Sequence, residues 1–177
     1  MNLRLKRTPG IYLVGFMGSG KSTVGRELAG QMGWSFFDTD DEIEAAEGMA
    51  ISEIFETRGE AEFRRIESAV VRRHVGWIEQ GRPAVLALGG GAFVAETNRE
   101  LLLENGVVVW LDCPWEMVER RVSQASHRPL ARHKENFRRL FDERRAMYAL
   151  ADVRVPVESD EAAAAVEAIL RDPIFKK

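Results

Sequence analysis

The chain has a single cysteine, Cys113, in 177 residues. No internal disulfide can form, and cysteine alone cannot build a thiolate metal site. That usage suits a reducing interior, and a cytoplasmic location is expected. Long apolar runs are also missing: no segment approaches the roughly 18 consecutive apolar residues that a membrane-crossing helix needs. Met1 to Gly10 is charged, and no apolar stretch of signal-peptide length follows it. Nor is there an excess of one charge. A net charge of −3 leaves no global basic field for nucleic acid. With no repeat, low-complexity tract or Pro/Gly-rich linker, residues 1–177 are expected to form one domain around one core. Nothing in the sequence demands an assembly, so a monomer is expected.

What is present is an alternation of short apolar runs and longer helical patterns. Strands are predicted at Ile11–Val14, Trp34–Phe37, Ala84–Leu88, Val107–Leu111 and Val153–Val155. Helices are predicted from about Lys21 to Met32, from a capping Ser52, and over Glu60–Ile78 with Phe63, Ile66, Val70 and Trp77 on one face. Others are predicted over Glu116–Val122, Glu135–Leu150 and Asp160–Leu170. This order argues for a three-layer α/β/α fold with a central parallel sheet and right-handed crossovers. The four tryptophans, Trp34, Trp77, Trp110 and Trp115, are read as core or rim packing rather than base-stacking platforms.

Gly15-Phe16-Met17-Gly18-Ser19-Gly20-Lys21-Ser22 matches G-x-x-x-x-G-K-[ST], between an apolar strand and a helix, with Thr23 following. Glycines let backbone N–H groups curl around phosphate oxygens, and the helix start adds partial positive charge. Gly18, Ser19, Gly20, Lys21, Ser22 and Thr23 are therefore candidate nucleotide-binding residues. Lys21 is expected at the β- and γ-phosphates and the Ser22 hydroxyl at Mg²⁺. The motif implies nucleotide phosphate binding and does not name the acceptor.

Two sets of carboxylates compete for the metal. Val107–Leu111 closes on Asp112 in the manner of a Walker B strand, though a strand-end or turn carboxylate before Pro114 is the plainer reading. Asp38 and Asp40 follow the second strand, and their spacing puts both on one side of an extended segment. A helix N-cap for the segment starting near Asp41 reads equally well for that pair. Pattern alone leaves the choice open.

The P-loop, Asp38-Thr39-Asp40, Phe63-Arg64-Arg65-Ile66-Glu67, Gly89-Gly90-Gly91, Arg128-Pro129-Leu130 and Glu143-Arg144 with Tyr148 occur in one order over residues 11 to about 155. Together they resemble the shikimate kinase family of P-loop small-molecule kinases. The resemblance implies transfer of the terminal phosphoryl group of ATP to the 3-hydroxyl of shikimate, with Mg²⁺, on the route to chorismate and aromatic amino acids. It implies that Ser22 and, through the metal's water shell, Asp38 hold Mg²⁺, and that Asp40 contacts the acceptor hydroxyls and orients or deprotonates the attacking one. Arg64 and Arg144 would grip the acceptor carboxylate, with Gly90, between Gly89 and Gly91, supplying backbone contact. Arg128 would be the lid arginine over the phosphates, and Arg121 would lie against adenine. The catalytic set is then Lys21, Asp40 and Arg128.

Elementary chemistry agrees with several of these roles. Planar guanidinium forks suit a carboxylate, and Arg64 and Glu67 share a helix face at i, i+3. Glycines after a strand admit a close ligand. Outside the motif, Arg64 beside Arg65 and Arg144 beside Arg145 would read as solvated helix charges.

The polar stretch at about 123–134 reads as a mobile lid or a surface loop, and about 40–80 as the acceptor-binding helical region. His127 and His133 lack a third ligand nearby and are not read as a metal site. The chain departs from the family at Ala131, at Arg145-Ala146-Met147, and near Ser159–Glu161, where no adenine-side proline is found. A gluconate-type kinase is the nearest rival, and an inert nucleotide-binding module is another. A GTPase would need an Asn-Lys-x-Asp segment, which is absent.

Overall fold

The structure, a computed structural model, describes residues 10–124 and 130–176. Among them, strands Gly10–Val14 (β1), Ser35–Asp38 (β2), Ala84–Ala87 (β3), Val107–Asp112 (β4) and Val153–Pro156 (β5) form one sheet in the order β2-β3-β1-β4-β5. Every neighbouring pair is parallel. The three inner strands are largely apolar because both of their faces are covered: every residue of β3, β1 and β4 is buried. The edge strand β5 alternates buried Val153 and Val155 with exposed Arg154 and Pro156.

The helices are Lys21–Met32 (α1), Thr39–Glu47 (α2), Ile51–Arg58 (α3), Glu60–Glu79 (α4), Glu96–Glu104 (α5), Trp115–Gln124 (α6), Leu130–Tyr148 (α7) and Ala162–Arg171 (α8). Helix α1 packs on α8, and α4 on α5, so that the sheet is the middle of three layers. In α4 the buried positions Phe63, Ile66, Glu67, Val70, Val71, His74, Val75 and Ile78 recur at helical spacing and form one stripe. A satellite core of Ile43, Ile54, Phe63, Ile66 and Val70 clamps α2, α3 and α4 together beside the main core. Fully burying each such aliphatic side chain contributes about 1.5–3 kcal/mol. This second core is what gives α2, α3 and α4 a fixed position.

Register brings the functional segments to one edge. Leu13 pairs with Ala87 and Val109, and Asp38 with Ala87. The residues after β1, β2, β3 and β4 therefore emerge side by side at the carboxyl edge of the sheet, where ligands of open α/β folds bind.

Several sequence expectations shift. Ser52 is not a cap: α3 starts at Ile51 after Ala50, which makes no side-chain cap bond, and Glu44 Oε2 accepts from Ile51 N–H at 3.2 Å instead. Trp77 is off the buried stripe, beside Phe37 and His74, because Val75 and Ile78 take the core positions. The final helix begins at Ala162, not Asp160. Of the polar stretch at 123–134, the described residues are helical: Ser123 and Gln124 end α6, and Leu130 to Lys134 begin α7. Arg128 and His127 lie outside the described residues.

Candidate active site

The phosphate loop closes tightly at Gly15, where φ is 151° and a Cβ would meet Leu111 O at 2.8 Å and Ser19 Oγ at 2.9 Å. Left-handed Gly20, at φ 93°, turns the chain into α1. Lys21 Nζ folds back onto the loop, donating to Gly15 O at 2.7 Å and Phe16 O at 3.0 Å. Burial lowers its pKa to about 8, against the raising influence of Asp40 and Asp38. Ser22 Oγ donates to Asp38 Oδ2, while Asp38 Oδ1 accepts from Asp41 N–H at 3.1 Å.

Asp38 thus both caps α2 and faces the phosphate-loop hydroxyl, so the N-cap and metal-side readings describe one residue. The extended-segment reading of the Asp38/Asp40 pair is corrected: β2 ends at Asp38, and Asp40 is already in α2. The helix still directs both residues into one cleft of about 840 Å³, shared with Lys21, Ser22, Glu44 and Gly90.

The triple glycine is where Asp40, Glu67, Arg144 and Arg64 converge. A Cβ on Gly89 would lie 2.5 Å from Asp40 Oδ1 and 2.9 Å from Glu67 Oε2; on Gly90, 2.9 Å from Arg144 Nη1; on Gly91, 2.5 Å from the Arg64 guanidinium. Thr39 Oγ1 accepts from Gly89 N–H at 3.2 Å and Tyr148 O–H donates to Gly90 O at 2.5 Å, so the turn is tied to both α2 and α7. Arg64 donates to Glu67 at 2.8 Å and lies over the Phe63 and Phe55 rings at 5.2 and 5.9 Å. Arg144 lies 5.7 Å from the Phe16 ring centre.

Asp40 Oδ1 and Glu67 Oε2 are buried without a hydrogen-bond partner among the described residues. Desolvation, then Glu67 and Asp38, push the Asp40 pKa up to about 6 against the pull of Lys21. Burial also raises Glu67, opposed by Arg64 and Arg144. A buried carboxylate oxygen left unpaired costs free energy unless a ligand hydroxyl completes it.

Asp112 is not at the cleft. Only 6% exposed, it accepts from Arg145 of α7 and from Arg154 Nε, the latter at 2.7 Å, so the Walker B alternative is set aside. A second hollow of about 330 Å³ adjoins the phosphate loop, lined by Gly18, Thr23, Arg121, Ser159 and Asp160. Arg121 donates to Gly18 O at 2.8 Å and to Asp160 at 2.9 Å. Asp160 escaped sequence reasoning, as did the aromatic bed under Arg64. The one signal for Asp160 was its place in the loop where a proline was sought.

A phosphate loop opening onto a carboxylate and two arginines at the carboxyl edge of a parallel sheet defines a P-loop small-molecule phosphotransferase. A family model for shikimate kinase matches residues 17–172. Shikimate kinase of Persephonella marina is 43% identical over 84% of this chain and 88% of its own length, and that of Caulobacter vibrioides is 46% identical over 93% and 82%. A solved shikimate kinase from Acinetobacter baumannii, in complex with shikimate, superposes with TM-score 0.83 at 38% identity, covering 94% of this chain and 93% of that one. The chain belongs to the shikimate kinase family.

Proposed function

We infer that this chain phosphorylates the 3-hydroxyl of shikimate with ATP, giving 3-phosphoshikimate and ADP on the route to chorismate. The observation that carries the reading is the convergence on one glycine turn of Asp40, Arg144 and Arg64, with Asp40 and Gly90 lining the same cleft as Lys21. Two guanidinium groups suit a carboxylate, and a carboxylate with an unpaired oxygen suits an acceptor hydroxyl.

On this reading Arg64 and Arg144 hold the acceptor carboxylate and Gly90 approaches the ring. Asp40 orients the attacking hydroxyl and receives its proton on the carboxylate. Lys21 leaves the Gly15 and Phe16 carbonyls to neutralise the β- and γ-phosphates, and Arg128 adds charge there. Catalysis is mostly positioning and charge neutralisation. Gly18 to Thr23 bind the phosphates, and Arg121 lies against the base.

The donor set fits Mg²⁺, which favours a few oxygen ligands together with water and phosphate: a hydroxyl, Ser22, faces a carboxylate, Asp38, in the cleft. Held by these two residues, Mg²⁺ would supply charge neutralisation on the nucleotide phosphates. The free, buried Cys113 supports a cytoplasmic setting. No helix among the described residues is long and apolar enough to cross a membrane.

The test is ADP release measured with shikimate and with gluconate side by side. Shikimate-dependent turnover is expected, with Asp40→Asn and Arg64→Lys abolishing most transfer while ATP still binds. Equal rates on gluconate, or near-parental rates in both variants, would overturn the reading.

A further inference from the structure

Asp112, at the end of β4, is a nearly buried carboxylate shared by two guanidinium groups that arrive from different elements. Arg154 belongs to the neighbouring strand and contacts Asp112 through Nε at 2.7 Å and Nη2 at 2.5 Å. Arg145 belongs to α7 and donates to both carboxylate oxygens, the second contact being 3.2 Å. Both guanidiniums lie over Trp110, with centroid distances of 5.0 Å for Arg145 and 5.4 Å for Arg154. Arg145 follows Arg144 directly in sequence, and Arg144 is the residue whose Nη1 stands over Gly90. At the same end of α7, Tyr148 O–H donates to Gly90 O.

We propose that Asp112 and Arg145 are positioning residues for Arg144: their ion pair sets the rotation and axial position of α7 at the end that presents the acceptor arginine. This rests on the reading of Arg144 as a carboxylate-binding group. Phe137 and Phe141 pack the body of α7 against Phe16 and Trp115, but at the Arg144 end the Tyr148 bond and a 3.7 Å contact of Arg99 with Met147 Sδ would alone leave the helix room to rotate. A planar two-pronged contact to a buried carboxylate removes the freedom, and lysine cannot reproduce its fork. Arg154 has a different task, since it neutralises Asp112 from within the sheet and does not touch α7 through this carboxylate. Removing Arg145 therefore leaves Asp112 paired, so the fold is expected to survive a change that would otherwise strand a buried charge.

The experiment compares KM for shikimate and for ATP in Arg145→Gln, Arg145→Lys, Arg154→Gln and Arg144→Ala. Arg145→Gln is expected to raise KM for shikimate about tenfold while KM for ATP stays within about twofold. Arg145→Lys, which keeps the charge and loses the fork, is expected to show the same split. Arg154→Gln is expected to leave both constants within about twofold of the parent. An unchanged shikimate KM in both Arg145 variants, a parallel rise in both constants, or an equal effect of Arg154→Gln overturns the proposal. If Arg144→Ala itself binds shikimate as the parent does, the reading of Arg144 is what fails.

Discussion

Asp40 Oδ1 points at the place where a Gly89 side chain would begin, 2.5 Å from that missing Cβ, and no described residue donates to it. The glycine leaves room for a carboxylate oxygen to be buried yet unpaired. Such an oxygen holds its proton more tightly than an exposed one, and on the proposed reading an acceptor hydroxyl offsets that cost.

The pH dependence follows. Asp40 is raised to about 6 from 3.8, mainly by burial, and Lys21 is lowered to about 8 from 10.5. In the free enzyme the active form has Asp40 ionised and Lys21 charged, so kcat/KM is expected to be bell-shaped with limbs near those two values. Glu67→Gln removes one cause of the Asp40 shift, so the acid limb is expected to move down even as KM for shikimate rises. An acid limb unmoved in that variant would show that Asp40 does not set it.

The same shift has a sign for stability. Between the unfolded and folded pKa values of Asp40 the native state binds more protons, so its contribution to stability is present below about pH 3.8 and is lost as pH rises through about 6. Asp40→Asn is therefore expected to stabilise the protein at pH 8, by about 3 kcal/mol at most, and to give no gain near pH 3. Thermal melting at the two pH values checks this, with activity lost in the variant throughout.

Glycine-to-alanine changes in the turn separate binding from folding. The φ angles of Gly89, Gly90 and Gly91 are not in the left-handed range, and the first atoms a new Cβ meets are side-chain ends. Folding should tolerate the methyl groups. Gly91→Ala is expected to displace Arg64 and raise KM for shikimate about tenfold, and Gly89→Ala to displace Asp40 and lower kcat about a hundredfold. KM for ATP is expected to hold in both, since neither group touches the phosphate loop. A loss of ATP affinity equal to that of shikimate would mean the turn supports the whole edge.

The sheet and its phosphate loop were legible because their signals are local: apolar runs, glycine spacing and a terminal lysine. The pairing of Arg64 with Glu67 was legible for the same reason, the two being one helical turn apart, whereas only the motif resemblance marked Arg64 as more than a solvated helix charge. Asp112 was not, because its partners lie 33 and 42 residues further on, and only the pairing of β4 with β5 and the return of α7 bring them together. The Asp38/Asp40 spacing suggested an extended pair, whereas the cap formed by Asp38 starts the helix one residue later. The false cap at Ser52 has a similar origin, since Glu44 supplies the acceptor from another helix.

The Ser22–Asp38 contact makes metal dependence separable from stability. Asparagine caps a helix about as well as aspartate, so Asp38→Asn is expected to keep α2 and the melting temperature while losing the charge that favours a cation. Activity titrated against free Mg²⁺ is expected to shift to a concentration higher by about tenfold or more, roughly what losing one supporting oxygen ligand costs. Ser22→Ala is expected to move the same way. A titration curve unchanged in both variants would place the metal elsewhere.

Asp160 offers a final test at the base-side hollow. It accepts from Arg120 Nη2 through both oxygens at 2.9 Å and from Arg121 Nη2 at 2.9 Å, and these arginines hold its carboxyl below the usual carboxylate range, with Arg121 the largest cause. Exposed pairs add little to stability, so Asp160→Ala should melt like the parent. Its effect should instead be on Arg121, whose remaining hydrogen bond to the phosphate loop goes to Gly18 O at 2.8 Å. With the guanidinium plane less constrained, KM for ATP is expected to rise about three- to tenfold, the range of losing one oriented charge-assisted contact. Binding of inorganic tripolyphosphate, which has no base, is expected to be unchanged. If both ligands weaken together, Asp160 acts through the phosphate loop and not through the base.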